Sequence, residues 1–327
     1  MKRVFCKIFQ GLFFLTLIWT FFGCNILSSQ EVVKQSECTI ISWNLQTFFD
    51  SVTDGTEYDE FKGSKSKWSK EKYQTRIDRL CDFIEEQDAD IYAFVEVENV
   101  NILQDISNNL STRSVKGGKY KYACFAKNEG GVFGCGVISK YPLENVKLHN
   151  IDFRNYETQP ELRPILEVSA YTKNQSVFSL FVCHWKSKSG GEEESEIWRD
   201  LQESLLTSCI LNADNKQIVA CGDFNRELTE FKINKISNKV VLRNFNPEEQ
   251  DFLELNNPWL LSNENGSYVY NEEWNKIDHF FLSENVSFLS FSTISDYTDE
   301  NGYPIKYSVR TGKGYSDHLP IMCQISF

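Results

Sequence analysis

The sequence predicts an α/β domain of two sheets, largely antiparallel, with helices outside. Three observations carry this. Eight short apolar runs, rich in β-branched and aromatic residues, recur between Cys38 and Phe327. Two segments between them place apolar residues at helical spacing. Several runs follow one another with only turns between, which strict alternation of strand and helix would not produce. No repeat, Pro-rich linker or low-complexity block interrupts residues 38–327, which are therefore expected to form one domain.

The first 23 residues stand apart from that domain. Lys2, Arg3 and Lys7 precede an apolar run from Leu12 to Phe22, which ends in Gly23-Cys24. This is the pattern of a secretory signal peptide. Its end resembles a bacterial lipobox, with Phe21-Phe22-Gly23 where Leu-Ala-Gly is usual. The run is short for a full membrane span, which favours cleavage and lipidation at Cys24 over an uncleaved anchor. The expectation is an exported lipoprotein, held on the membrane at the periplasmic face or cell surface, with residues 24–37 as a polar tether. Cleavage removes three positive charges and takes the formal charge from −12 to −15. A general nucleic-acid-coating protein would be basic. A phosphate substrate must therefore be drawn in locally, by a metal ion and a few placed cations.

Along the domain, "CTIISWNL" reads as the first strand. "SKEKYQTRIDRLCDFIEEQ" follows as a helix with Tyr73, Ile77, Leu80 and Ile84 on one face and Ser69 as N-cap. Strands are next expected at "ADIYAFVEV", "CGVISK", "ILEVSAYT" and "VFSLFVCHW". A second helix, "SEIWRDLQESLLTSCILNA", aligns Ile197, Leu201, Leu205 and Ile210. The strands "QIVACGDFN", "KIDHFFLS" and "LPIMCQISF" complete the set. Eight cysteines besides Cys6 and Cys24 show no regular spacing, and Cys183, Cys221 and Cys323 sit in or at the ends of apolar runs as small buried residues. Cys124 and Cys135 flank "FAKNEGGVFG", where a bridge across a hairpin is open.

The polar residues of interest cluster where apolar runs stop: Asn44, Glu96, His184, Asp223, Asp278 and Asp317. "VACGDFNR" sets Asp223 and Asn225 one residue apart, an acceptor and an amide able to orient a water and hold a phosphate oxygen; a plain turn is the competing reading. "GYSDHLPI" puts Asp317 beside His318, and "KIDHFFLS" starts a strand with Asp278. An Asp–His hydrogen bond fixes an imidazole that must manage a proton or a phosphate. His279, between Asp278 and two phenylalanines, reads as structural. Glu96 ends an apolar strand, where an unpaired carboxylate is costly. A hard cation, Mg²⁺ first, would explain it, with Asn44 as a neutral oxygen ligand nearby; a surface Glu after an edge strand is the competing reading. Glu98 is assigned to the other face and left outside the site. Zinc-type spacing, a glycine-rich phosphate loop and a serine nucleophile elbow are absent.

In order, "WNLQTFF … FVEVEN … CHWKSK … GDFN … IDHFFLS … YSDHLP" resembles the endonuclease/exonuclease/phosphatase superfamily over Cys38 to Phe327. The resemblance implies a four-layer α/β sandwich with the site at one edge of the paired sheets. It implies that Glu96, Asn44 and Asp317 lie on the metal side, with Val95 where the family usually has Gln. Asp223 would orient or activate the attacking water, with Asn225 as its phosphate-binding companion. His318 would contact the scissile phosphate, oriented by Asp278. His184 would stabilise the phosphorane-like state or assist the leaving oxygen. The run "VFSLFVCH" delivers His184 to the sheet edge, Lys186 and Lys188 then stand near incoming phosphates, and Trp185 packs inward.

The reaction the resemblance implies is phosphodiester hydrolysis by a monomer with Mg²⁺ or Mn²⁺. Nucleic acid is the first substrate reading. "HWKSKSGG" and "DSVTDGTEYDEF…W" resemble secreted bacterial members described as nucleases, and "FKGSKSKWSK" reads either as lysines offered to a backbone or as a solvated loop leading into the helix. The alternatives are a sphingomyelinase-type or inositol-phosphate-directed enzyme, for which "SYVYNEEW" is a faint aromatic hairpin, and a non-catalytic surface-binding lipoprotein.

Overall fold

The computed structural model describes residues 36–113, 119–151, 159–244 and 252–327. The expected signal segment, Cys24 and the tether up to residue 35 lie outside the described residues. Ser36 and Glu37, expected to end the tether, belong to the fold: Ser36 bonds Thr172, its carbonyl accepts from Phe327, and Glu37 opens the first strand. Among the described residues no helix is long and apolar enough to cross a membrane.

The chain runs β1 (Glu37–Phe48), α1 (Lys70–Gln87), β2 (Ile91–Val97), α2 (Val100–Arg113), β3 (Tyr122–Ala126), β4 (Gly134–Ser139), β5 (Leu143–His149), β6 (Ile165–Tyr171), β7 (Val177–His184) and α3 (Glu192–Leu211). It continues with β8 (Ile218–Asp223), β9 (Lys232–Asn234), β10 (Lys239–Arg243), β11 (Phe252–Leu255), β12 (Tyr268–Tyr270), β13 (Glu273–Asn275), β14 (Asp278–Leu282), β15 (Ser287–Thr293) and β16 (Ile321–Ser326). One sheet has six strands in the order β15-β16-β1-β2-β4-β3, and the other five in the order β14-β8-β7-β6-β5. Each contains a single parallel pair, β1 with β2 and β7 with β8. This is the expected sandwich of mostly antiparallel sheets with helices outside. All eight expected strands are present.

Alternation along β1 and β2 explains why both read as continuous apolar runs. Cys38 and Ile40, with Ile91, Ala93 and Val95, face the opposite sheet. Ile41, Trp43 and Leu45, with Tyr92 and Phe94, face α1 and α2. A strand covered on both faces needs apolar residues at every position. Helix α1 buries Tyr73, Ile77, Leu80 and Ile84 as expected, and Ser69 caps it by accepting from the Lys72 N–H, a contact worth about 1 kcal/mol.

Helix α3 departs from expectation. Ile197 is 59% exposed, and the buried face carries Arg199, Gln202, Glu203 and Thr207 beside Leu206, Cys209 and Ile210. The reason is Arg226, fully buried beneath the helix and ion-paired to Glu196, Asp200 and Glu203. Paired charges take the place of an apolar stripe there. The segments β3, β5 and β15 were not expected. They are edge or near-edge strands, and β5 and β15 are largely exposed with little apolar signal. The β3–β4 hairpin exists, but its register sets Cys124 against Val137 and Cys135 against Ala126, and both cysteines are free thiols. Diagonal positions of that kind lie beyond ordinary disulfide reach.

Candidate active site

The five-stranded sheet supplies a row. In register across three neighbouring strands stand Asp278 at the start of β14, Asp223 at the end of β8 and His184 at the end of β7. Equal register puts their side chains on one face, and each is 2% exposed. Gly222 makes the row possible: a Cβ there would sit 2.0 Å from the Cys183 carbonyl oxygen, and its φ of 132° suits glycine.

The six-stranded sheet answers with Asn44 and Glu96. Strict alternation would turn Glu96 toward the helices. Instead Val95 faces the opposite sheet while Val97 faces the helical layer, so alternation breaks at Glu96. The break is a bulge: β1 and β2 lose register between Asn44/Val95 and Phe48/Val97. Gln46, Thr47 and Glu96 all have positive φ, at 49°, 47° and 60°. Such backbone costs about 1–3 kcal/mol per residue and persists only where its surroundings hold it. Arg76 of α1, 4% exposed, holds it by donating to the carbonyls of Leu45, Gln46 and Thr47. Gln46 adds a pair of hydrogen bonds with the backbone of Tyr307. Sequence reasoning missed Arg76, although a cation three residues after Tyr73 on an apolar helix face is a readable signal.

Asn44 joins the two sheets. Its Nδ2 donates to Glu96 Oε1 at 3.1 Å and to Asp223 Oδ2 at 3.0 Å. Its Oδ1 accepts the Gln46 N–H at 2.9 Å, which fixes the amide orientation. Asn44 therefore turns nitrogen, not the expected oxygen, toward the carboxylates. Thr47 N–H donates to Glu96 Oε2 at 2.6 Å. Asp223 Oδ1 accepts from Asn225 N–H at 2.8 Å, and Asn225 Nδ2 donates to the Trp185 carbonyl. The segment after Asp223 is thus a turn, with Asn225 at φ 47°, and both residues still line the cleft.

The loop before β16 brings in His318 and Asp317. Trp43 Nε1 donates to the His318 carbonyl at 2.8 Å, and Ser316 Oγ donates to the Asn44 carbonyl at 2.6 Å. His318 Nδ1 meets Asp278 Oδ2 at 2.7 Å, where Ser267 Oγ also donates. His318 Nε2 and His184 Nε2 then stand 3.9 and 3.8 Å from Asp223 Oδ2.

The two imidazoles are held in opposite states. Burial lowers His184 well below its ordinary value, and Arg163, His318 and Lys186 lower it further. Its Nδ1 meets no partner, so the proton of the neutral ring belongs on Nε2, toward Glu96 and Asp223. Burial alone would lower His318 too, but the carboxylates of Asp278, Asp223 and Asp317 outweigh it and hold the ring charged, at about 10. Burial and the neighbouring Asp278 raise Asp223.

These groups open into a cleft of about 850 Å³. Glu96, Asp317, Asp223, His184 and His318 line it. Its walls add Tyr58, Tyr268 and Tyr270, with Arg163, Lys188 and Lys306 as cations. Lys186 is not among the lining residues: its Nζ donates to the carbonyls of Ser187 and Ser189. Lys188 lines the cleft and pairs with Glu230. "SYVYNEEW" forms the β12–β13 hairpin, turned by Asn271 and Glu272 at positive φ, and it sets Tyr268 against His318 with ring centroids 4.6 Å apart. Trp185 is fully buried against Phe224. His279 is fully buried, its Nε2 toward the Arg226 carbonyl and its Nδ1 toward Asn257.

Within the cleft, two sets of donors among the described residues could hold a metal. Asp223, Asp278 and His318 bring ligand atoms within 4.8 Å of one another. In that set Asp278 Oδ2 is already engaged by His318 and Ser267. Glu96 and Asp317 are partly open to the cleft, with side chains 20% and 27% exposed. They are oxygen donors, and they fit a hard divalent cation.

The family model for the Endonuclease/Exonuclease/phosphatase family matches residues 39–326, and the chain belongs to that family. No curated protein sequence matches it. Among solved structures it is similar to TDP2 of D. rerio complexed with single strand DNA product, at TM-score 0.56 and 16% identity over 89% of this chain and 100% of that one. It is also similar to an endonuclease/exonuclease/phosphatase family protein from Bacteroides thetaiotaomicron, at TM-score 0.56 and 13% identity over 90% and 99% of the chains. A third, from Beutenbergia cavernae, has TM-score 0.54 and 15% identity over 89% and 72%. At these identities the likeness is one of fold.

Proposed function

We propose that this protein is a divalent-metal-dependent phosphodiesterase that hydrolyses nucleic acid by in-line attack of water. The observation that carries the reading is the convergence of His184 Nε2 and His318 Nε2, at 3.8 and 3.9 Å, on Asp223 Oδ2 in a cleft lined by Glu96 and Asp317. Glu96 and Asp317 would hold Mg²⁺ or Mn²⁺. When bound, the ion supplies positive charge against the non-bridging oxygens and the leaving oxygen.

The remaining work falls to the chain itself. Asp223, its Oδ1 and Oδ2 fixed by Asn225 and Asn44, orients the attacking water and accepts its proton. His318, held by Asp278, meets the phosphate as a cation. His184 donates its Nε2 proton toward an oxygen of the phosphate, and the Asn225 amide adds a further polar contact. Donors already in place when charge builds on phosphorus need no reorganisation. Asn44 acts as the spacer that keeps Glu96 and Asp223 apart without itself giving up an oxygen.

Nucleic acid is favoured over lipid by the cleft walls. Tyr58, Tyr268 and Tyr270 offer faces to bases, and Arg163, Lys188 and Lys306 offer charge to a backbone. The aromatic hairpin expected for a lipid surface bends over the site instead. The single-strand DNA product in the D. rerio TDP2 structure agrees with this choice. We further propose export and lipid anchoring at Cys24. Cleavage of plasmid DNA, RNA, sphingomyelin and a soluble inositol phosphate, side by side with and without Mg²⁺, tests the reading. Turnover of nucleic acid supports it, and turnover of sphingomyelin or inositol phosphate alone overturns the substrate.

A further inference from the structure

The loop between β1 and α1 carries a second group of carboxylates that the proposed reaction does not use. Asp54, Glu57 and Glu98 each bring one oxygen within 4.8 Å of the others. Asp54 and Glu57 lie in the segment "DSVTDGTEYDEF", and Glu98 follows β2 directly. Glu57 is 4% exposed and accepts the N–H groups of Asp54 and Gly55 at 2.6 and 2.9 Å. Gly55, at φ 105°, makes the turn that aims both amides inward.

The telling atom is on Glu98. That residue is 1% exposed. Its Oε2 accepts the Asp50 N–H at 2.7 Å, while its Oε1 is buried and meets no hydrogen-bond donor. Among the described residues no lysine or arginine forms an ion pair with any of the three carboxylates. A buried carboxylate oxygen without a donor, set beside two further carboxylates with no ion pair, is costly unless a positive ion joins them.

We propose that Asp54, Glu57 and Glu98 bind a calcium ion that ties the Asp50–Phe61 loop to the end of β2. Calcium suits the site because it takes six to eight oxygens in flexible geometry, from carboxylates and loop carbonyls alike, whereas magnesium keeps several waters and demands a near-octahedral shell. The ion ties down one wall of the substrate cleft. Tyr58 follows Glu57 directly and packs on Phe49 and Phe133, with centroids 5.7 Å away in each case. Tyr58 and Glu60 both line the cleft.

Calorimetric titration of CaCl₂ into the metal-stripped protein tests this, with thermal melting as a second readout. Wild type is expected to bind calcium and melt at higher temperature with it. Asp54→Asn and Glu98→Gln are expected to weaken that binding by about tenfold or more and to remove the rise in Tm. Glu96→Gln is expected to keep both. Asp54 is exposed, so its variant folds even if the Glu98 variant does not. Calcium binding that is absent in wild type, unchanged in both Asp54→Asn and Glu98→Gln, or lost only in Glu96→Gln overturns the proposal.

Discussion

Asp278 Oδ2 lies 2.7 Å from His318 Nδ1, and the two residues are buried at 2% and 6% exposure although 40 positions separate them in the chain. The pair fixes the ring so that Nε2 faces the cleft, and it holds the charge there. We predict that His318→Ala and His184→Ala each lower kcat by about 10²–10³. Groups serving one transition state are non-additive, so the double variant is expected to lose far less than the product of the two. Asp278→Asn is expected to lose less than His318→Ala, and to move the high-pH limb of the rate profile downward. Rates on variants whose fold is verified by circular dichroism decide this; a near-wild-type His184→Ala sinks the site.

Glu96 faces the cleft with its second oxygen tied to the Thr47 N–H. Glu96→Gln keeps an acceptor for that amide and loses the charge. We predict most of kcat is lost with Tm retained, and that wild-type activity vanishes in excess EDTA and returns with Mg²⁺ or Mn²⁺. Full activity in EDTA refutes it.

Arg76 donates to three consecutive carbonyls of the bulge. Arg76→Met leaves them buried without donors, at a predicted cost in urea unfolding of about 1–3 kcal/mol per carbonyl that water cannot reach. Arg76→Lys keeps a charge but cannot reach all three. It is expected to fold with kcat reduced more than KM is raised, because Glu96 is misaimed. Unchanged kcat in Arg76→Lys counts against the bulge as the positioning device.

His279 gives a pH dependence. Burial holds it neutral down to about 4, against about 6.5 in an unfolded chain. Between those values the unfolded state binds a proton that the folded state refuses. The folded protein therefore keeps its full stability from this group above pH 6.5 and loses it progressively as pH falls toward 4. His279→Gln is expected to be destabilised at pH 7.5, and that deficit is expected to shrink by roughly 2 kcal/mol at pH 5. Denaturant midpoints at the two pH values measure it; a deficit that grows with acid contradicts the sign.

Export and anchoring predict a mature N-terminus at Cys24 bearing lipid. Intact-mass measurement on membrane-extracted protein reads this directly, and a chain that begins elsewhere or lacks acyl mass refutes it.

The sequence by itself determined the eight strands, α1 with its Ser69 cap, and the positions where polar residues interrupt apolar runs. Those are local facts. An apolar run buried on both faces, as in "IYAFVEV", or a helical stripe such as Tyr73, Ile77, Leu80 and Ile84, shows its period in a window of a dozen residues. Only the tertiary structure decided what the interruptions do. Glu96 reaches the site because a bulge reverses the alternation, and the bulge is held by an arginine from a different element. Asn44 faces Asp223 because two sheets meet, and Gln46 decides which end of its amide it shows. Lys186 lies against its own loop while Arg163 and Lys306, which carried no motif, line the cleft. Helix α3 buries charges because Arg226, distant in sequence, lies beneath it. Periodicity reports which face of an element is covered, whereas the direction of a hydrogen bond and the charge on a buried ring depend on neighbours that only folding brings within a few ångströms.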